Sequence, residues 1–145
     1  MAGETRNIRV KIDNVSKVFN SRNGDMVALQ NVSLDIEDNE FVCVVGPSGC
    51  GKSTLLNIIA GLLAPTSGAV YCDGKEIKGT GTERGVVFQQ YALFPWLTVK
   101  RNVMFALEMR GIKGKAAAKE AMSYLEMVDL EKFADHFPKE LSGGM

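Results

Sequence analysis

The run of residues 46–54, Gly-Pro-Ser-Gly-Cys-Gly-Lys-Ser-Thr, constrains the fold of this chain more than any other feature. It fits the pattern G-x-x-x-x-G-K-[ST], in which a glycine-rich loop joins a strand to a helix. An apolar, β-branched segment precedes it at 41–45 and predicts a buried strand, and an apolar segment follows it at 55–63 and predicts a helix. The sequence therefore predicts a strand, a phosphate-binding loop and a helix in direct succession.

The residue types of this phosphate loop, residues 46–54, suit the binding of a phosphate group. Glycines let several backbone N–H groups point at one anion, and the following helix adds the partial positive charge of its N-terminus. Lys52 is placed to reach β- and γ-phosphates, and the hydroxyl of Ser53 is placed to ligate Mg²⁺. The alternative, a glycine-rich turn between two core elements, explains neither residue. The predicted binding residues here are Gly46, Pro47, Ser48, Gly49, Cys50, Gly51, Lys52, Ser53 and Thr54.

Composition narrows the class of protein. The 145 residues suit one domain, and a hydrophobic content of 46% permits a sizeable core. The 17 basic residues balance 17 acidic ones, which argues against binding of nucleic acid through bulk charge. No apolar run approaches the ~20 residues of a membrane span, so we expect a soluble chain that reaches a membrane only through a partner. The scattered Cys43, Cys50 and Cys72 fit reduced thiols.

Hydrophobic periodicity predicts further strands and two helices. Alternating residues at 8–12 and 32–36 indicate half-buried strands, and 69–77 indicates a hairpin that turns at Asp73 and Gly74. A loop at 78–84 leads into a short buried strand at 85–88. After residue 98 the period becomes helical, with two predicted apolar faces. The first face comprises Val99, Val103, Ala106 and Leu107. The second helix is predicted at 116–127, and its apolar face comprises Ala121, Met122, Leu125 and Val128.

Two further motifs identify a family. Val87-Phe88-Gln89-Gln90 and Leu141-Ser142-Gly143-Gly144 follow the phosphate loop in this order. Together with it they resemble the ATP-binding subunit of an ATP-binding-cassette (ABC) transporter, over nearly the whole chain from about residue 8. The resemblance implies an α/β phosphate-loop NTPase core with an antiparallel β-subdomain and a helical subdomain, and with the C-terminal part absent. It implies a boundary between 1–89, which holds the β-subdomain and phosphate loop, and 90–145, the helical subdomain.

The same resemblance implies roles for individual residues. Phe19 matches the aromatic residue that stacks on adenine, although ordinary core packing is the alternative. Gln89 matches the Q-loop glutamine, which contacts Mg²⁺ or the attacking water and links the ATP site to the membrane subunit. Ser53 and Gln89 are thus the implied Mg²⁺ ligands. Leu141, Ser142, Gly143 and Gly144 match the signature motif, which binds the γ-phosphate of ATP held by the other subunit of a head-to-tail dimer.

A longer stretch around the Q-loop looks like importers of nitrate, sulfonates and taurine. Its discriminating parts are Gly-x-Gly-x-acid-Arg-Gly at 79–85 and Phe-Pro-Trp at 94–96. The resemblance implies an energy-coupling ATPase with permease subunits as partners, indirectly a solute-binding protein, and a location on the cytoplasmic face of the inner or plasma membrane. The aromatic stretch 91–96 would line the groove for the permease's coupling helix; packing of the helical subdomain is the alternative.

The sequence also departs from the family pattern. A Walker B strand with its Asp and catalytic Glu, and a switch histidine, follow the signature motif in the family and are not found here; His136 precedes that motif and is expected at the surface. We therefore expect a fragment of a longer protein, which binds ATP with little or no hydrolysis because general-base help of ~10²–10⁴-fold is missing. The Walker B strand lies between the two strands predicted at 41–45 and 85–88, so their edges are expected to be open.

Two other functions are compatible with these motifs. A naturally short chain would be a nucleotide-binding module that does not hydrolyse ATP. A soluble member of the same superfamily, as in DNA repair or translation, would act outside transport, but the importer-like stretch at 79–99 and the balanced charge argue against it. A phosphate-loop enzyme outside the family, such as a kinase, needs no Leu-Ser-Gly-Gly motif.

Overall fold

The chain forms two compact units, Met1–Val87 and Phe88–Met145. This division comes from a computed structural model that describes residues 7–21, 24–88 and 92–145. Among these described residues, the first unit contains a four-stranded sheet and one α-helix, and the second contains two α-helices and two short 3-10 helices. Within the described ranges, no helix is long and apolar enough to cross a membrane.

The sheet of the first unit is antiparallel throughout, in the order β2-β1-β3-β4. Its strands are β1 (Ile8–Phe19), β2 (Met26–Glu37), β3 (Ser67–Cys72) and β4 (Lys75–Glu76). The predicted hairpin is confirmed, because Asp73 and Gly74 join β3 to β4 with φ angles of 50° and 72°. Positive φ at both central residues is the geometry of a two-residue turn that matches strand twist.

Strand β1 extends beyond the predicted 8–12, because a bulge breaks the alternation of apolar and polar residues on which the prediction rests. Asn14 has a φ of 48°, and the register with β2 shifts between Ile12 and Val15. A bulge inserts one residue, so it moves the following side chains to the other face of the sheet. Ile12 and Val15 are therefore both buried although their spacing is odd.

One face of the sheet packs against helix α1, which spans Lys52–Ile59. The buried side chains of this core are Ile12, Val15, Leu29, Leu55, Ile58 and Val70. The helix is shorter than the predicted 55–63 at its C-terminal end. Gly61 adopts a φ of 76°, and the N–H groups of Leu62 and Leu63 donate to the carbonyl of Asn57, so the chain turns away there.

The two segments predicted as buried strands beside the phosphate loop and Q-loop are not strands in this structure. Residues 41–45 and 85–88 have no regular secondary structure. The side chains of Phe41, Val45 and Val87 are 93%, 86% and 100% exposed. The four described strands pair only with one another, so within residues 7–21, 24–88 and 92–145 no strand completes the backbone hydrogen bonds of either segment.

The second unit is built on helices α2 (Val99–Met109) and α3 (Gly114–Met127), followed by 3-10 helices at Glu131–Phe133 and Pro138–Glu140. Ala117 and Ala121 are fully buried, and their small side chains let the two helices approach closely. The predicted apolar faces are mostly confirmed. Ala106 and Val128 are exceptions, because both are exposed; Val128 lies after the last residue of α3.

Candidate functional site

The phosphate loop leads directly into α1, as the sequence predicts. The first hydrogen bond of the helix runs from the N–H of Leu55 to the carbonyl oxygen of Gly51, at 2.9 Å. The N–H groups of Lys52, Ser53 and Thr54 therefore have no acceptor within the helix. These three donors and the positive end of the helix dipole form a local environment that favours an anion.

Gly51 fixes the position of the loop against the sheet. Its φ is 94°, a conformation that costs a side chain about 1–2 kcal/mol. A Cβ atom here would also overlap the carbonyl oxygen of Ala28 and lie 2.8 Å from Cδ2 of Leu29, a core residue of β2. Backbone conformation and packing thus both require glycine. By contrast Gly49, with a φ of 82°, faces open space and is required by conformation alone.

The side chain of Lys52 spans the loop. Its Nζ donates to the carbonyl oxygen of Gly46 at 2.7 Å and to that of Pro47 at 2.8 Å, and lies 3.5 Å from Sγ of Cys50. A Cβ atom at Gly46 would stand 2.7 Å from the same sulfur atom. The ammonium group therefore lies at the loop itself, held by neutral oxygen atoms that a charged phosphate oxygen can replace.

The predicted Mg²⁺ ligand Ser53 is exposed at the second position of α1. Within residues 7–21, 24–88 and 92–145 there is no group of three or more His, Cys, Asp or Glu residues that could hold a metal ion. A hydroxyl oxygen beside a phosphate-binding loop fits Mg²⁺, which usually binds through few protein ligands together with substrate phosphates and water.

Phe19 lies at the end of β1, opposite Met26 at the start of β2. Its ring is half-buried and does not belong to the sheet–helix core. The Nζ of Lys17 lies 5.3 Å from the ring centroid, a cation–π distance, and donates to the carbonyl oxygen of Ala64 at 2.8 Å. A partly open aromatic ring at a strand end suits stacking, which the resemblance implies for this residue.

The signature motif divides into an anchored and an exposed part. Leu141 packs against the buried Val99, Leu125 and Ala134 of the helical unit. The next three residues, Ser142, Gly143 and Gly144, are exposed. They form a turn in which the N–H of Met145 donates to the carbonyl oxygen of Ser142 at 3.1 Å. The second 3-10 helix, directly before the motif, ends at Glu140.

Gln89, the predicted Q-loop glutamine, and Tyr91, the first residue of the predicted aromatic stretch, lie outside the described residues. Phe94 and Trp96 of that stretch form an aromatic cluster with Phe105 of α2. The ring centroids of Phe94 and Trp96 are 5.5 Å apart, and those of Phe94 and Phe105 are 4.8 Å apart in an edge-to-face arrangement. Trp96 remains 70% exposed, so the cluster presents its indole ring at the surface.

Sequence reasoning did not single out Asn102, whose amide holds this aromatic segment. Its side chain makes four hydrogen bonds with backbone atoms of residues 94–98. The only signal in the sequence is an asparagine in the first turn of a helix that follows a Pro-containing turn. An asparagine at such a place is usually a simple cap, so its several partners do not follow from the sequence.

The importer-like segment at 79–85 also has a structural explanation. The guanidinium of Arg84, only 11% exposed, donates from Nη2 to the carbonyl oxygen of Gly79 at 2.6 Å and pairs with Glu83. The carbonyl of Gly79 lies so close to Gly61 that a Cβ atom there would overlap it. A Cβ atom at Gly81 would overlap the carboxylate of Glu83. Cβ atoms at Gly79 and Gly85 would meet nothing within 4 Å, so packing does not require glycine at these two positions of the motif.

Comparison with known proteins gives a consistent result. A family model described as "ABC transporter" matches residues 29–145. The chain is 51% identical over 138 residues to the uncharacterized ABC transporter ATP-binding protein MJ0412 of Methanocaldococcus jannaschii, covering 95% of this chain and 52% of that protein. It is 49% identical over 138 residues to the nitrate import ATP-binding protein NrtD of Synechocystis sp., covering 95% of this chain and 52% of NrtD.

A third relative and a solved structure extend this result. The chain is 50% identical over 137 residues to the taurine import ATP-binding protein TauB of Roseobacter denitrificans, covering 94% of this chain and 51% of TauB. A dimeric, post-hydrolysis structure of the ATP-binding cassette MJ0796, bound to ADP and Pi, matches with a TM-score of 0.82 and 40% identity. It covers 93% of this chain and 64% of that one. The chain spans about half the length of the curated relatives it matches.

Proposed function

The chain belongs to the ABC transporter family, and we propose that it is the ATP-binding part of the energy-coupling subunit of an importer. The observation that carries this proposal is the position of the Lys52 ammonium, which lies at the loop beside three helix N–H groups without helical acceptors. One cation and several converging donors recognise a polyphosphate better than any other common ligand. ATP is the corresponding substrate in this family.

Binding of ATP at this loop would use the residues in distinct ways. The N–H groups at the start of α1 and the loop glycines hold phosphate oxygens. The Nζ of Lys52 exchanges the carbonyl oxygens of Gly46 and Pro47 for phosphate oxygens of higher charge. Phe19 stacks on the adenine ring. Mg²⁺, when bound, neutralises phosphate charge; we propose Ser53 and Gln89 as its protein ligands.

The proposed ATPase acts as a dimer. Exposed Ser142, Gly143 and Gly144 of one subunit would bind the γ-phosphate of ATP held by the other, while Leu141 anchors the motif in its own helical core. The partner is a second copy or a paired ATPase subunit. A dimeric structure of a cassette that is 40% identical supports this arrangement.

The proposed membrane partners are permease subunits, with a solute-binding protein acting through them. The exposed Trp96 and the rings beside it form the surface on which a permease's helical segment would dock, on the cytoplasmic face of the membrane. The similarity to NrtD, a nitrate import protein, and TauB, a taurine import protein, favours nitrate, taurine or a related sulfonate as the solute. We further propose the domain division 1–89 and 90–145, with Gln89 at the boundary that links ATP to the permease.

We propose that hydrolysis of ATP requires residues beyond these 145. The exposed apolar segments at 41–45 and 85–88 suit strands that flank a further strand, which in this family carries Walker B. The curated relatives are about twice as long as this chain, which supports the same view. On this proposal the chain alone binds ATP and hydrolyses it little or not at all.

The thermal midpoint with and without Mg-ATP tests the proposal directly. A ligand that binds only the folded state adds ~2.7 kcal/mol of stability at a hundredfold excess over Kd, so we expect a clear upward shift. Lys52→Ala should abolish the shift. Lys78→Ala removes an exposed lysine paired with Glu76, outside the loop, and should retain it.

An absent shift in the unaltered chain, together with an absent shift in the full-length protein, would refute ATP binding at this loop. A shift in the full-length protein without release of phosphate would favour the alternative of a nucleotide-binding module that does not hydrolyse ATP.

A further inference from the structure

The aromatic cluster is built on a tight turn. The N–H of Leu97 donates to the carbonyl oxygen of Phe94 at 3.1 Å, which closes a four-residue turn with Pro95 and Trp96 at its centre. Pro is favoured at the first central position because its φ is already fixed near the required value. The turn thereby projects Trp96 from the surface next to the ring of Phe94.

A single side chain from the following helix binds this turn at both ends. Oδ1 of Asn102 accepts from the N–H of Phe94 at 2.8 Å. Its Nδ2 donates to the carbonyl oxygens of Phe94 at 3.2 Å, Leu97 at 3.1 Å and Thr98 at 3.1 Å. The donors and the acceptor of the amide are thus all in use, on backbone atoms before and after the indole-bearing residue.

Only an asparagine satisfies this set of partners. Aspartate keeps an acceptor for the N–H of Phe94, but it loses both donors and places a negative charge beside three carbonyl oxygens. Serine keeps one donor on a shorter side chain. Besides the backbone bond between Leu97 and Phe94, one amide therefore holds the turn. The helix has a separate N-cap in Thr98, whose hydroxyl accepts from the N–H of Arg101 at 3.3 Å.

A fixed, exposed tryptophan has a consequence for binding. Tryptophan is enriched among the residues that dominate binding energy, and holding it in its bound conformation lowers the entropy lost on association. An indole on a mobile loop would lose that advantage. The amide of Asn102 is thus placed to control the affinity of the surface without touching a partner.

We propose that Asn102 is a positioning residue that holds the Phe94–Trp96 turn ready to dock a helical, apolar segment of a membrane-spanning partner. This inference rests on the proposed docking role of the aromatic cluster. It adds that the docking affinity depends on a part-buried residue that acts by holding the turn.

The test compares Asn102→Asp with Thr98→Ala and Trp96→Ala in the full-length protein. Thr98→Ala removes the N-cap of the same helix while leaving the bonds of Asn102 in place, so it matches the structural cost without releasing the turn. The probe is a preparation of urea-stripped membrane vesicles from the cells that make the protein. Liposomes of the extracted lipid serve as the reference for lipid binding.

We expect Asn102→Asp and Trp96→Ala to weaken binding to the stripped vesicles by about tenfold or more. Thr98→Ala should bind within about twofold of the unaltered protein, and Mg-ATP affinity should be unchanged in all variants. The single Trp of these 145 residues is also a direct reporter of the turn. With any tryptophan elsewhere in the full-length protein replaced by Phe, Asn102→Asp should lower its anisotropy and raise its quenching by acrylamide.

Three results would overturn the inference. If Trp96→Ala binds weakly but Asn102→Asp binds normally, Asn102 is not a positioning residue and the proposed docking surface stands. If Thr98→Ala weakens binding as much as Asn102→Asp, helix stability explains the effect. If Trp96→Ala binds normally, the docking role itself is wrong. Should Asn102→Asp fail to fold, Asn102→Ser replaces it with the same expected results.

Discussion

Two apolar segments of the first unit are both predicted as strands from sequence but have different structures. Strand β3 at Ser67–Cys72 pairs with β1, and its Val70 is 2% exposed. Residues 41–45 are richer in β-branched and aromatic side chains, yet they form no strand and expose Phe41. The difference lies in the neighbours: β3 has a backbone on each side, whereas none of the described strands pairs with 41–45. Strand propensity becomes structure only where a partner completes the ladder.

A second irregular segment shows the same exposure of apolar side chains. Val87 is fully exposed in the irregular segment at 85–88, as Val45 is nearly so at 41–45. Unpaired apolar backbone is a template for pairing with other chains, so these segments are also the expected sites of aggregation. The comparison with β3 yields two predictions, and a comparison of two glycines in the phosphate loop yields a third.

The largest expected effect is protection of 41–45 and 85–88 when the chain is extended to the length of its relatives. Amide hydrogen exchange in both segments should slow by at least ~10³-fold, because buried core strands open only with a large fraction of the global unfolding energy. Strand β3 provides the internal control, since it should be protected with or without the extension. Fast exchange at 41–45 in the longer chain would show that this segment is not a strand.

The second prediction concerns the two glycines of the phosphate loop. Gly51→Ala should lower the free energy of unfolding by about 2–5 kcal/mol, the sum of left-handed strain and overlap with the backbone of Ala28. Gly49→Ala should cost only about 1–2 kcal/mol, because its Cβ atom meets open space. Urea denaturation measures both. Equal losses would mean that the loop is not fixed against β2 as the structure has it.

The smallest effect sharpens the comparison with a matched pair of valines. Val70→Ala should cost about 1.5–3 kcal/mol, since the side chain is buried in the sheet–helix core. Val45→Ala should change stability by no more than about 0.5 kcal/mol in this chain, because the side chain is already in water. In the extended chain the cost of Val45→Ala should rise toward that of Val70→Ala. If Val45→Ala already lowered the free energy of unfolding of the unextended chain by more than this, the side chain would be packed in a core rather than exposed.

Local signals in the sequence predicted the parts of the fold that depend on nearby residues. The Asp73-Gly74 turn and the start of α1 at the phosphate loop follow from residue type and immediate context. The second half of β1 did not, because the bulge at Asn14 breaks the alternation on which the prediction rests. The end of α1 was placed too late, since the apolar residues continue past Gly61 although the backbone turns there.

The candidate site divides in the same way. The phosphate loop could be predicted from sequence because its pattern of glycines, lysine and serine is typical of phosphate binding. The sequence did not predict the contacts of Lys52 with the loop carbonyls or the four hydrogen bonds of Asn102. Such bonds join side chains to particular backbone atoms and leave no periodic pattern in the sequence. Stacking by Phe19 and binding by the signature residues stay predictions.

The position of Lys52 also bears on how the site selects among ions. Its ammonium group already has two oxygen partners within its own loop, so a ligand that binds it must replace these two carbonyl oxygens. A monovalent anion such as chloride offers one weak contact in exchange for two, and gains little by displacing them. A polyphosphate offers several charged oxygens at once and does gain. On the proposed role of the loop, the carbonyls of Gly46 and Pro47 would compete with the ligand for the ammonium group, so we expect ligands of higher charge to displace them more readily.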